Sequence, residues 1–139
     1  MGYLDQYGER NWFFSKLVKA IGWLLLASII AYSFYWLFFR NWREEQRVDA
    51  FLEAVQARDY EDAYAYWGCT VAEPCRFYNY DEFLEDWGPE SPLARIDSYD
   101  RGRSYTQTSG VIIELTINGE KQPNLWVEKE TQAISFFPY

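Results

Sequence analysis

Residues 110–120, GVIIELTINGE, decide the fold of the larger part of this chain. Apolar side chains occupy every second position from Val111 to Ile117, and a period of two predicts a strand with one buried face. Asn118-Gly119 is a preferred two-residue sequence for a type I′ hairpin turn. The strand is therefore expected to reverse direction there and to pair with the segment that follows.

Three further strands are predicted around this hairpin. The returning strand lies within residues 120–130, where Pro123 indicates an edge or a bulged start. The last strand covers residues 133–139, and a less regular one covers residues 94–106, with a bulge at Gly102. We therefore expect a sheet of four antiparallel strands.

Three short helices are predicted before the sheet. Residues 44–57 repeat apolar side chains at the spacing of one helix face. The second helix begins at Asp59 and ends at Gly68, and the third begins at Asn79 and ends at Gly88. An acidic residue follows each of the two N-caps by three positions, as in a capping box. The fold class is thus α+β, with helices first and strands second.

This order of elements resembles the nuclear transport factor 2-like (cystatin-like) superfamily, particularly bacterial members built as a membrane anchor plus a minimal domain. Residues 48–67, VDAFLEAVQARDYEDAYAYW, look like its opening helical pair. Residues 110–137, GVIIELTINGEKQPNLWVEKETQAISFF, look like its terminal hairpin and last strand. The resemblance covers residues 44–137 and implies a cone of about three helices packed on a curved four-stranded sheet. The loop from Cys69 to Cys75 departs from the family's pattern.

Proteins with this fold often hold a ligand inside the cone, and the resemblance implies an apolar pocket there. Five aromatic side chains would line it: Tyr64, Trp67, Phe83, Trp87 and Trp126. Their regular spacing favours a packed core instead. Enzymes similar to this fold use an Asp with a His or Tyr for proton transfer, and the chain contains no His. The nearest set, Asp97, Tyr99 and Asp100, is expected to face solvent, so we expect no enzyme, no catalytic residues and no cofactor.

Residues 20–39, AIGWLLLASIIAYSFYWLFF, predict a membrane-spanning helix. The run has no formal charge, and a helix of about 20 residues spans about 30 Å of hydrocarbon. Basic and aromatic residues mark both ends. A cleaved signal peptide is the alternative, but this run is longer than its apolar region. We expect an interfacial segment at residues 1–16, the helix with its flanks at 17–43, and the folded domain at 44–139.

Within the membrane helix, Ala27 and Ala31 form a small-xxx-small pair with Ser28 beside them, which makes these three residues candidates for helix packing. The apolar run contains no ionisable group, so ion or proton transport through it is not expected.

Charge excludes some partners. The chain has 21 acidic and 13 basic residues, and the part from Arg40 onward has nineteen acidic and ten basic ones, a net charge of −9. Such a surface repels phosphate, so nucleic acid is not an expected partner.

Acidic residues cluster at 59–62 and 81–86 without the spacing of a calcium loop, and helix-terminus electrostatics explain them. We expect no metal site.

The two cysteines bear on orientation, because three basic residues lie close to each end of the apolar run: Arg10, Lys16 and Lys19 before it, and Arg40, Arg43 and Arg47 after it. Cys69 and Cys75 are candidates for a disulfide formed in an oxidising compartment, and two reduced thiols are the alternative. We expect a single-pass protein of the cell membrane with its C-terminal domain on the periplasmic or another extracytoplasmic side.

These observations predict an accessory or assembly subunit of a larger membrane complex of respiratory, photosynthetic or secretion type. Its partners would be other membrane-protein subunits and the lipid bilayer. The alternative is a membrane-tethered enzymatic or small-molecule-binding domain, with an aromatic-lined pocket for a small apolar ligand. Self-association through the sheet face that carries Ile112 is a third hypothesis.

Overall fold

The computed structural model describes residues 2–137, and the side chains from residue 11 onward. The chain divides between Arg40 and Asn41 into two compact units. The N-terminal unit is one helix, α1 (Gly2–Phe39), of 38 residues.

The stretch Asn11–Gln56, which contains most of α1, includes an 18-residue window of mean hydropathy 1.8 in which no residue is buried. Within the described residues, one helix is thus long and apolar enough to cross a membrane. The second unit begins with a new helix, because the chain turns at residues 40–41.

The second unit contains the predicted α+β arrangement. Its helices are α2 (Trp42–Gln56), α3 (Tyr60–Ala65) and α4 (Tyr80–Trp87). The Asp59 side chain caps α3 by accepting the backbone N–H of the residue three positions later. Asn79 forms a complete capping box on α4. Its side chain accepts the backbone N–H of Glu82, and its own backbone N–H donates to the Glu82 carboxylate. Both predicted helix starts are confirmed.

The strands are β1 (Tyr99–Thr106), β2 (Gly110–Ile117), β3 (Glu120–Lys121), β4 (Leu125–Glu128) and β5 (Ile134–Phe136). They pair antiparallel in the order β1-β2-β4-β5, and β3 pairs with β2. The sheet has five described strands where four were predicted, because the returning segment divides into β3 and β4 on either side of Pro123, which has no N–H to donate. The last two positions of the predicted final strand, 138–139, lie outside the described residues.

Backbone conformation confirms the predicted turn and bulge. Asn118 and Gly119 both have positive φ, 52° and 81°, as a type I′ turn requires. The register of β1 against β2 shifts between Arg101 and Ser104, which places the irregularity at the predicted glycine, Gly102.

One face of the sheet packs against the helices. Every second side chain of β2 is fully or almost fully buried, together with the apolar face of α2. Phe51 of α2 lies near the middle of this core, and its ring meets that of Trp87 edge to face at a centroid distance of 4.9 Å. Burial of apolar side chains is the dominant favourable term in folding, and large aromatic rings contribute much buried area to it.

An ion-pair network joins α2 to β1. The Arg101 guanidinium contacts Glu45 at 3.0 Å and Asp49 at 2.6 Å, and the Ser104 hydroxyl also donates to Glu45. Burial lowers the pKa of Arg101, but the hydrogen bond to Glu45 and the charge of Asp49 outweigh that effect and raise it. The arginine therefore stays charged and bridges two acidic side chains of one helix.

Candidate functional site

Four of the five aromatic residues predicted for a pocket come together in the core. Tyr64, Trp67, Phe83 and Trp87 have 0–7% of their surface exposed. Phe83 contacts Tyr64 at a ring-centroid distance of 5.3 Å. These side chains pack on one another and on β2, so they fill the space that the pocket hypothesis assigned to a ligand.

Trp126 does not belong to this group. On β4 its neighbours Leu125 and Val127 are fully buried, and successive side chains of a strand point to opposite faces. Trp126 therefore lies on the other face of the sheet, opposite Ile112, with its ring centroid 5.9 Å from that of Phe137. Its assignment to the interior is corrected.

A cavity of about 220 Å³ lies beside the C-terminal end of α4. The sequence did not indicate it, because its wall is assembled from α4, the loop after it, the β3–β4 connection and β5. The lining residues are Asp86, Trp87, Pro92, Leu93, Gln122, Pro123 and Phe136. The wall is mainly apolar and has one carboxylate, which is the composition of a site for a group with both apolar and polar parts.

The carboxylate of the cavity is held by a tyrosine. The Tyr78 hydroxyl donates to Asp86 Oδ2 at 2.7 Å. Burial, followed by this hydrogen bond and the negative charge of Asp86, raises the pKa of Tyr78 far above its ordinary value, and the indole of Trp87 offsets the shift only in part. Tyr78 therefore remains a donor at every physiological pH.

Trp87 contributes its ring to the cavity wall. The residue is 2% exposed, and its Nε1 is buried and makes no well-formed hydrogen bond within the described part of the chain. This N–H acts on the neighbouring Tyr78 hydroxyl, where it offsets part of the pKa rise that burial causes, and is not exposed to the cavity.

The cysteine loop borders the same region. The Cα atoms of Cys69 and Cys75 are 5.3 Å apart and the sulfur atoms lie at bonding distance, so the predicted disulfide pair is present. The Tyr64 hydroxyl ties this loop to the core, because it accepts the N–H of Cys75 at 2.9 Å and donates to the carbonyl of Tyr78 at 2.7 Å. Phe77, just after the loop, is 86% exposed.

The other predicted sets are dispersed. Asp97 pairs with Arg95 on the surface, and Asp100 is exposed, as expected. Tyr99 was expected to face solvent with them, but it is partly buried and packs against the core. This burial, and then the charges of Asp49 and Glu53, raise its pKa. Among the residues from 11 to 137, no three His, Cys, Asp or Glu side chains are grouped so that they could hold a metal ion.

Cationic side chains lie over tryptophan rings near both ends of the apolar run in α1. Lys16 Nζ is 3.9 Å from the ring centroid of Trp12, and the Arg40 guanidinium is 4.2 Å from that of Trp36. The Ser28 hydroxyl, near the small residues Ala27 and Ala31, donates to the carbonyl of the residue four positions earlier at 2.8 Å. Its proton is therefore used within the helix, and only its oxygen remains for a neighbouring helix.

Comparison with known proteins finds no match for this chain among family models, curated proteins or solved structures.

Proposed function

We propose that this chain is a single-pass membrane protein whose C-terminal unit is a protein-interaction module. It would serve as an accessory or assembly subunit of a larger membrane complex of respiratory, photosynthetic or secretion type. We also propose that the module is a cone-shaped domain of the nuclear transport factor 2-like superfamily, which the order of its helices and antiparallel strands supports.

The observation that carries this proposal is the exposed apolar helix with a cation at each end. Lys16 and Arg40 are 24 positions apart, which is about 36 Å along a helix at about 1.5 Å per residue. That length matches a hydrocarbon core of about 30 Å plus part of the headgroup layer. Trp12 and Trp36 lie beside these cations, as aromatic side chains do at the membrane surface.

The features of the folded unit support a role in protein-protein contacts rather than in catalysis. The aromatic interior is filled by its own side chains, and the sequence offers no histidine as a general base. Its net charge of −9 from Arg40 onward would attract basic partners and repel anionic lipid headgroups.

The disulfide pair supports an extracytoplasmic position for this unit, because such bonds persist in oxidising compartments. The N-terminal end of α1 would then lie on the cytoplasmic side.

A membrane-tethered small-molecule-binding domain is the second candidate function, and the cavity of about 220 Å³ beside Asp86 favours it. Native mass spectrometry of the purified chain discriminates between the two. A retained small molecule would support the second candidate, and a bare chain bound to protein subunits would support the first.

The anchor is tested by fractionation. Leu25 and Ile29 are exposed on α1, and an arginine costs about 2.5–3.5 kcal/mol at the centre of a membrane helix. We expect the wild type and the control Leu25→Ala/Ile29→Ala in carbonate-washed membranes. The variant Leu25→Arg/Ile29→Arg should instead appear in the aqueous fraction. Wild-type protein in the aqueous fraction without detergent would refute the anchor.

The interaction role is tested by chemical cross-linking in intact membranes, followed by purification in a mild detergent. The expected result is a cross-linked membrane subunit that is recovered in a fixed stoichiometry without cross-linker as well. A monodisperse monomer with no cross-linked partner would contradict the proposal.

A further inference from the structure

The helix that borders the cavity, α4, and its flanking residues are rich in acidic side chains. From residue 77 to residue 94 the sequence has five acidic side chains and no basic one: Asp81, Glu82, Glu85, Asp86 and Glu90. Within the described residues, none of these five takes part in a salt bridge. The negative charge of this segment is therefore not neutralised by an ion pair, and Asp86 is the member of the set that lines the cavity.

The cavity itself has room for one long side chain. A volume of about 220 Å³ corresponds to about seven water molecules at about 30 Å³ each. Leu93, Phe136 and two prolines provide apolar walls, and Asp86 provides a charged one. Only Oδ2 of Asp86 accepts from Tyr78, so Oδ1 has no hydrogen bond within the part of the chain described.

We propose that this cavity receives an arginine side chain from a basic segment of a partner protein. The inference rests on the proposed function, because it names the docking surface of the interaction module. The aliphatic stem would pack on Leu93 and Phe136, and the guanidinium would pair with Asp86. Arginine fits better than lysine because its planar cation packs on aromatic rings and loses less hydration on burial.

Other occupants fit less well. A second copy of this chain would bring another unit with a charge of −9 against an acidic surface, and like charges across an interface oppose association. A small apolar ligand would fill the volume but would leave Oδ1 of Asp86 without a hydrogen-bond partner and its charge without a counter-ion.

The test uses the full chain in nanodiscs of zwitterionic lipid, so that anionic headgroups do not compete. The probe is a fluorescein-labelled octapeptide with arginine at alternate positions and leucine between them. The matched probe replaces each arginine with citrulline, which has the same shape and no charge. Fluorescence anisotropy is measured at about 0.15 M salt, where exposed charges more than about 8 Å apart are largely screened.

Two isosteric variants separate the cavity from the general acidic surface. Asp86→Asn removes the carboxylate of the cavity, and Glu85→Gln removes the same charge from the adjacent position of α4, which does not line it. We expect saturable one-to-one binding of the arginine peptide, weakened about tenfold by Asp86→Asn and at most about twofold by Glu85→Gln. The citrulline peptide should bind about equally to the wild type and to both variants, and more weakly than the arginine peptide binds the wild type.

The outcomes that overturn the inference are specific. Equal weakening by both variants would show that the acidic surface acts only as a diffuse charge. Absence of saturable binding below about 1 mM, concentration-dependent dimerisation of the chain through this surface, or a small molecule retained in the cavity would also overturn it. None of these results decides whether a membrane partner is cross-linked, so the docking inference and the proposed function fail separately.

Discussion

Substitution Tyr64→Phe should destabilise the second unit by about 2 kcal/mol. The Tyr64 side chain is fully buried, and its hydroxyl makes two hydrogen bonds, to the carbonyl of Tyr78 and from the N–H of Cys75. Phenylalanine keeps the ring and its packing against Phe83. The loss is therefore that of two hydrogen bonds, each about 1 kcal/mol net. The two backbone groups left behind are only half-buried, so water compensates part of the desolvation.

Thermal unfolding of the full chain in detergent micelles measures this effect. Near-ultraviolet circular dichroism reports aromatic packing and is not dominated by the helical signal of α1. A loss of about 2 kcal/mol corresponds to a fall of about 8–16 °C in Tm for a unit of this size. Tyr66→Phe is the matched control, because no hydrogen bond of its hydroxyl is present among the described residues. Its Tm should change by less than about 3 °C.

Equal Tm values for Tyr64→Phe and Tyr66→Phe would refute this reasoning. The variant Cys75→Ser adds a second check, because the Tyr64 hydroxyl acts partly by holding the cysteine loop. Residues that share one network are not additive, so the effect of Tyr64→Phe should shrink by at least about 0.5 kcal/mol in that background. Full additivity would show that the hydroxyl stabilises the unit independently of the loop.

Three other substitutions test the remaining contacts. Cys75→Ser should cost about 2 kcal/mol, because its bond to Cys69 closes a loop with a sequence separation of 6; a urea midpoint equal to that of the wild type would contradict this. Arg101→Gln should cost about 1–3 kcal/mol by urea unfolding, and Arg95→Gln, whose ion pair is exposed, less than about 0.5 kcal/mol; similar losses would count against the network. Because folding raises the pKa of the Tyr78 hydroxyl, this group stabilises the fold fully below pH 10.0, the ordinary pKa of a tyrosine, and the contribution is lost as the pH rises above that value. The free energy of unfolding should therefore fall more steeply above pH 10.0 in the wild type than in Tyr78→Phe; parallel pH profiles would refute the assignment.

Local features of the fold were predictable because local chemistry determines them. Asp59 and Asn79 are N-caps whose side-chain oxygens satisfy the first N–H groups of a helix, whatever the rest of the chain does. Asn118-Gly119 forms the turn that its positive φ values allow. In each case a few neighbouring residues contain the whole reason for the structure.

The interior was harder to predict because it depends on register. Leu125, Trp126 and Val127 are all apolar, so alternation within the segment does not reveal which side chains point inward. The pairing of Val111 with Val127 decides the question and leaves Trp126 on the outer face. The cavity was not predictable for a similar reason, since its wall combines α4 with the β3–β4 connection, more than thirty positions away in sequence.

The distribution of negative charge connects stability with function. On α2, Glu45 and Asp49 are paired with Arg101, so their charge holds the helix on the sheet. On α4, the acidic side chains have no such counter-ions within the described residues, and only Glu82 takes part in capping the helix. A helix needs acidic residues only in its first turn to complement its dipole, and Asp86 lies at the opposite end, where a negative charge is unfavourable. There its Oδ2 accepts the hydrogen bond of the Tyr78 hydroxyl, and in the proposed docking its Oδ1 binds a cation that the chain itself does not supply.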